Sequence, residues 1–272
     1  MSAADRATRV SVRDFAARKT SGEPIVMVAA YDALFARLAD ESGVDAILVG
    51  DSVANVVAGQ QSTLSATLDQ MIYHGAAVVR GASRAMVLVD MPFLSYQVSK
   101  ADAMRNCGRV MQETGAQAVK VEGGTMETVR AVRAVVRLGV PVMGHLGFTP
   151  QSVHQLGGPR VQGRDTAGAD RMLDAARRLE EAGAFSVVLE LIPGDLAQRI
   201  SESITIPTIG IGAGVGCGGQ VLVLADLLGL TDTFAPKFLR RYAEMAGEVR
   251  RAVTAFGDDV RARRYPDADH TF

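Results

Sequence analysis

The sequence predicts an α/β fold, a closed (β/α)₈ barrel preceded by an extra N-terminal helix. Three observations carry this. Short apolar runs rich in β-branched residues recur eight times, alternating with amphipathic segments. Five runs end abruptly in polar groups: Asp51-Ser52, Asp90, Glu122, His145 and Glu190. A charge is costly inside a core but natural at a rim, so strands delivering such groups at their C-terminal ends build a site on one face of a parallel sheet. Finally, Gly210-Ile211-Gly212-Ala213-Gly214 follows the seventh run. An open doubly wound sheet has about five or six strands and places its Gly-rich turn near the N-terminus.

The elements follow in order. Ser11-Val12-Arg13-Asp14 reads as a capping box opening a short helix through Arg18. Strand one covers 25–30, and after Tyr31-Asp32 a helix reaches about Glu41, stopped by Gly43. Strand two ends at Asp51, and residues 53–65 form a long polar loop of the kind usually tied to function. Helix 67–80, strand 85–91, helix 100–114, strand 117–121, helix 125–138 and strand 140–144 come next. Residues 146–168 read as irregular, followed by helix 169–182, strand 185–189, a short helix from Pro193 to Ser203, strand 206–211 and strand 220–224. Residues 236–260 read as helical.

Length suits one α/β barrel of roughly 250 residues, so residues 1–272 are read as a single domain with residues 1–10 as a loose tail. Hydrophobic residues, at 48%, supply a large core, while a net charge of −1 gives no basic footprint for nucleic acid. Aromatic residues are 5% and Trp is absent, against a base-stacking surface. No apolar run approaches the ~18 residues of a membrane span, and Met1–Arg9 lacks the apolar core of a secretion signal. Cys107 and Cys217 show neither metal nor redox spacing, so a cytoplasmic protein with reduced thiols is expected.

Asp51, Asp90 and Glu122 come from three successive strands. Three carboxylates at one rim repel one another unless a cation lies among them. With oxygen ligands only, the set selects a hard ion such as Mg²⁺ over Zn²⁺, the plainer reading being that each acid caps a helix or pairs with a lysine. Lys120 shares a strand face with Glu122, where it holds an anionic substrate group, neutralises the acids or forms a structural ion pair. Ser52 suits a hydrogen bond to a substrate carboxylate or a turn. Glu190 enters an apolar surround of Leu189, Leu191 and Ile192, which suits a general base, or else caps the helix after Pro193. His145 suits a hydrogen bond to a carbonyl or carboxylate, or a place in the core. A cation beside a base suits enolisation of a 2-oxo acid.

The blocks Gly50-Asp51-Ser52, Val89-Asp90-Met91-Pro92-Phe93, Lys120-Val121-Glu122-Gly123-Gly124, Gly144-His145-Leu146-Gly147-Phe148-Thr149-Pro150-Gln151 and Gly210-Ile211-Gly212-Ala213-Gly214 resemble those of the ketopantoate hydroxymethyltransferase family. The likeness runs from Val12 to Phe272. It implies a barrel of the phosphoenolpyruvate/pyruvate type that makes ketopantoate from 3-methyl-2-oxobutanoate and 5,10-methylenetetrahydrofolate, on the way to pantothenate and coenzyme A. It also implies Mg²⁺ and a decamer. By position, Asp51 and Asp90 hold the metal, Glu122 joins directly or through water, Ser52 and Lys120 contact the oxo acid, and Glu190 is the base. Departures from the family pattern fall at Val53-Ala54-Asn55, Gln60-Gln61, Pro159, Leu191 and Val215–Gly219, and none removes a metal ligand or the base. The alternatives are another Mg²⁺-dependent 2-oxo acid lyase or mutase of that superfamily, or a weakly active paralogue.

Overall fold

The computed structural model describes residues 9–272. Of the expected tail, residues 1–8 lie outside the described residues, and residues 9 and 10 are tied down. The Val10 amide donates to Arg84 O at 2.7 Å, and the Arg9 guanidinium donates to Gln117 Oε1 at 3.1 Å.

Helix α1 (Val12–Ser21) opens on the Ser11/Asp14 capping box and precedes β1 (Ile25–Ala29). Then come α2 (Ala33–Glu41), β2 (Ala46–Val49), the short α3 (Val53–Val56), α4 (Leu68–Gly81) and β3 (Met86–Asp90). Next are α5 (Lys100–Thr114), β4 (Ala118–Glu122), α6 (Met126–Arg137), β5 (Val142–Gly147), the short α7 (Val153–Leu156) and α8 (Thr166–Glu181). The series closes with β6 (Ser186–Glu190), α9 (Gly194–Ser203), β7 (Thr208–Ile211), β8 (Gly219–Val223), α10 (Leu224–Leu227) and α11 (Met245–Arg261). The eight strands form a closed parallel barrel in sequence order, as predicted, with α1 as the extra helix.

The strands are buried on both faces because the barrel interior lies on one side and the helix ring on the other. Ile47, Val87, Leu88, Val89, Val119, Val142, Val187 and Ile209 are all fully buried. Strand register decides which polar groups meet at the rim: Asp90 pairs with Lys120, Glu122 with His145, and Gly147 with Glu190.

Three segments differ from the sequence reading. The loop over residues 53–65 contains α3 and a 3₁₀ turn, Thr63–Ser65. The stretch read as irregular over 146–168 holds the last residues of β5, a 3₁₀ turn Pro150–Ser152, α7 and the first turn of α8. Residues 236–244 are not helical, and the helix expected from 236 starts at Met245. The helical pieces within 53–65 and 150–156 are about one turn long, too short for an apolar period to register.

The chain divides into two compact units after Leu222. The second contains α10 and α11, and Arg241 ties its loop by donating to the carbonyls of Thr231, Asp232 and Phe234. No described helix is long and apolar enough to cross a membrane.

Candidate active site

Gly50 lets the end of β2 pass close to its neighbours: a Cβ there would lie 2.7 Å from Ser52 Oγ and 3.6 Å from Asp90 Oδ2. That approach allows the Asp51 amide to donate to Asp90 Oδ2 at 3.0 Å. Lys120 lies beside Asp90 by register, and its Nζ forms an ion pair with Asp90 Oδ1 at 2.9 Å, although that oxygen has no well-aligned hydrogen bond. Two residues on, Glu122 presents Oε1 to Lys120 Nζ at 4.0 Å and to His145 Nδ1 at 3.3 Å. The opposite ring nitrogen, His145 Nε2, lies 3.2 Å from Glu190 Oε2. Register, not sequence spacing, thus links acids and cations from four strands into one chain: Asp90, Lys120, Glu122, His145, Glu190.

Burial separates their roles. The side chains of Lys120, Asp90, Glu122 and His145 are 3–5% exposed, and that of Glu190 is 18% exposed. Glu190 is therefore the acid of this chain that a reactant can meet. It does not cap the following helix, since α9 begins without any side-chain cap. Ser52 does not cap α3 either: its hydroxyl lies 2.8 Å from Tyr31 Oη.

Electrostatics fix the protonation pattern. Burial opposes the charge on Lys120, but Asp90, Glu122 and Asp51 outweigh it and keep the amine protonated. Burial and Lys120 also oppose a charged His145, yet Glu122 and Glu190 prevail and push its pKa up to about 9. Burial works against an ionised Glu122 too, but His145, Lys120 and the Gln151 amide hold it below the usual carboxylate range. Asp51 is pushed well above that range by burial and by the charges of Glu122 and Asp90. Asp90 is raised by burial against the pull of Lys120.

Four carboxyl groups thus face two cationic side chains, and the deficit falls on Asp51 and Asp90. A hard divalent cation at those two acids fits: the donors are oxygens and the uncompensated charge is negative. The three-acid cluster expected from the sequence is not a ready-made cage. Among the described residues no three His, Cys, Asp or Glu side chains are grouped as a metal site. Lys120 and Gln151 occupy the space between the acids and draw Glu122 towards His145. Mg²⁺ needs no such cage, since it keeps several waters and takes one or two carboxylates plus substrate oxygens.

Sequence reasoning missed Gln151, Tyr96 and Tyr31. Gln151 follows β5 in the 3₁₀ turn, where Nε2 donates to Asp51 Oδ2 and Met91 O, both at 2.9 Å. Its backbone amide donates to Glu122 Oε2 at 3.0 Å. Tyr96 donates to Gln151 Oε1 at 2.9 Å and accepts from the Glu122 amide at 3.0 Å. The one signal available for Gln151 was its place at the end of the block that begins Gly144-His145.

The sequence profile of the ketopantoate hydroxymethyltransferase family matches residues 9–268. The chain belongs to this family. A 3-methyl-2-oxobutanoate hydroxymethyltransferase from Syntrophus aciditrophicus (strain SB) is 50% identical over 272 residues, covering 100% of both chains. Ketopantoate hydroxymethyltransferase membership agrees with the barrel's likeness to more distant structures. The structure of 2,3-dimethylmalate lyase, a PEP mutase/isocitrate lyase superfamily member, has a TM-score of 0.59 at 18% identity, covering 82% of this chain and 84% of that one. Phosphonopyruvate hydrolase in complex with oxalate and Mg²⁺ has a TM-score of 0.61 at 14% identity, covering 95% and 92%. At those identities the likeness is one of fold.

Proposed function

We propose that this protein is a 3-methyl-2-oxobutanoate hydroxymethyltransferase, making ketopantoate from 3-methyl-2-oxobutanoate and 5,10-methylenetetrahydrofolate. The observation that carries the reading is half identity, over the whole chain, to relatives bearing that activity name. The geometry explains how such a reaction can run.

Asp51 and Asp90 are the residues that would hold Mg²⁺. When bound, the ion supplies a Lewis acid for the 2-oxo group as negative charge develops on its oxygen. Ser52, whose hydroxyl lies beside Tyr31 Oη, and the Lys120 ammonium, paired with Asp90, are the groups that would bind the oxo acid. Glu190 is the base that removes the C3 proton. His145 sits between Glu122 and Glu190 and is within reach of both acids. The enolate carbon takes the one-carbon unit, water supplies its hydroxyl oxygen, and both C–N bonds of that unit break, so that tetrahydrofolate leaves carrying the protons released by C3 and by water. Decameric assembly and a cytoplasmic site of action belong to the same family-based reading.

The test is C3 proton–deuterium exchange of 3-methyl-2-oxobutanoate in D₂O, with and without Mg²⁺, followed by addition of methylenetetrahydrofolate. Mg²⁺-dependent exchange followed by ketopantoate formation supports the reading. Exchange without product keeps the enolising site and removes the folate step; absence of exchange overturns both.

A further inference from the structure

Each of the acids Asp51, Asp90 and Glu122 has one oxygen held by an amide N–H. Asp90 Oδ2 takes the Asp51 backbone amide at 3.0 Å, Glu122 Oε2 takes the Gln151 backbone amide at 3.0 Å, and Asp51 Oδ2 takes the Gln151 side-chain amide at 2.9 Å. Gln151 therefore supplies two of the three holds, to acids carried by different strands. Amides are neutral donors: they orient a carboxylate without cancelling its charge, whereas a lysine in the same place would compete with a cation.

The Gln151 amide has only one satisfactory orientation. Its nitrogen faces Asp51 Oδ2 and Met91 O, and the Met91 carbonyl can only accept. Its oxygen accepts from Tyr96 Oη at 2.9 Å and from Gln97 Nε2 at 3.0 Å. All four hydrogen-bonding positions of a buried side chain are thus filled. Tyr96 closes the arrangement by accepting from the Glu122 backbone amide at 3.0 Å, while its single hydroxyl proton is directed at Gln151 Oε1, the nearer of the two acceptors beside it.

We propose that the Gln151 side-chain amide, oriented by Tyr96, is a positioning group that presets Asp51 for a divalent cation. It never touches the reactants; it acts through that acid. This rests on the reading above that Asp51 and Asp90 hold the ion. The physical reason is pre-organisation: mutually repelling carboxylates drift apart or take up a proton unless donors hold them, and a cation then has to reassemble them.

The experiment measures Mg²⁺ and Mn²⁺ affinity by titration calorimetry on the substrate-free protein and its variants, with thermal unfolding alongside. Gln151→Met keeps the volume and the backbone amide but removes the side-chain donors. It is expected to weaken binding of both ions about 10- to 100-fold, the range seen when partners of metal ligands are removed. Tyr96→Phe keeps Gln151 but frees its amide to flip, and is expected to weaken binding in the same direction by a smaller factor. Unchanged affinity in a folded Gln151→Met protein overturns the proposal. Should that variant not fold, unchanged affinity in Tyr96→Phe overturns it equally. If the unsubstituted protein binds neither ion, the cation reading falls first and takes the positioning role with it.

Discussion

His145 Nε2 stands 3.2 Å from Glu190 Oε2, yet the nitrogen lacks a hydrogen-bonding alignment. The other ring nitrogen lies 3.3 Å from Glu122 Oε1, so the imidazole bridges the accessible acid to the buried one. Contacts of this kind in a substrate-free site commonly tighten only when the reactant arrives.

Replacing Glu190 by Gln removes the proposed base while keeping its shape. Oxo-acid binding is expected to persist and C3 proton exchange to fall by about 10²- to 10⁴-fold, the usual contribution of a positioned base. The same change removes one of the two acids that raise His145, so the imidazole pKa should drop below about 9, which NMR titration can follow. Exchange at the normal rate would assign the base elsewhere.

Asp90→Asn leaves Lys120 without the acid 2.9 Å from its Nζ and removes one proposed cation ligand. Mg²⁺ affinity is expected to fall by at least about tenfold, since even indirect partners of metal ligands cost that much. Calorimetric titration with an affinity equal to the parent's would remove Asp90 from the cation site.

Gly147 has φ +96°, and a Cβ there would lie 2.1 Å from the Glu190 carbonyl oxygen. That carbonyl accepts the Phe148 amide at 2.8 Å, where the chain leaves β5 for Gln151. Gly147→Ala is expected to destabilise the fold by roughly 1–2 kcal/mol from the backbone conformation alone, and further through the clash. Urea unfolding measures the loss, and proton exchange should fall with it because Glu190 moves. A stable, fully active variant would show that the turn relaxes freely.

Asp40, on α2, holds the entry to β3. Its buried carboxylate accepts the Ser83 hydroxyl at 2.8 Å and the amides of Ser83 at 2.9 Å and Ala85 at 2.6 Å. Burial disfavours the ionised form, but these donors together outweigh it and lower the pKa. A lowered folded-state pKa means stability that is present above about pH 4 and lost as pH falls through the folded value. Asp40→Asn is expected to cost about 1–3 kcal/mol at neutral pH and to flatten the acid side of the stability profile. Denaturant titrations between pH 3 and pH 7 would reveal an unchanged profile if these bonds contribute nothing.

Much of this was legible in the chain itself. The alternation of short β-branched runs with amphipathic segments marked eight strands, because the barrel buries both strand faces and leaves no alternating pattern to confuse them. Asp51, Asp90, Glu122, His145 and Glu190 were identifiable because a charge ending an apolar run is unaffordable anywhere but a rim. Gln151 and Tyr96 were not: each lies in a one-turn or loop segment with no period, and a lone Gln or Tyr carries no sequence signal until its partners are known.

The sequence by itself determined the barrel, the identity of the chemical groups at its rim and the excess of acid among them, because hydrophobic periodicity and charge are local properties. Only the tertiary structure decided which acid meets which cation. Strand register set Lys120 against Asp90 and His145 against Glu122, a loop 100 residues away in sequence laid Gln151 on Asp51, and burial left Glu190 as the acid of that chain within reach. Those pairings depend on contacts between distant parts of the chain, and no local pattern encodes them.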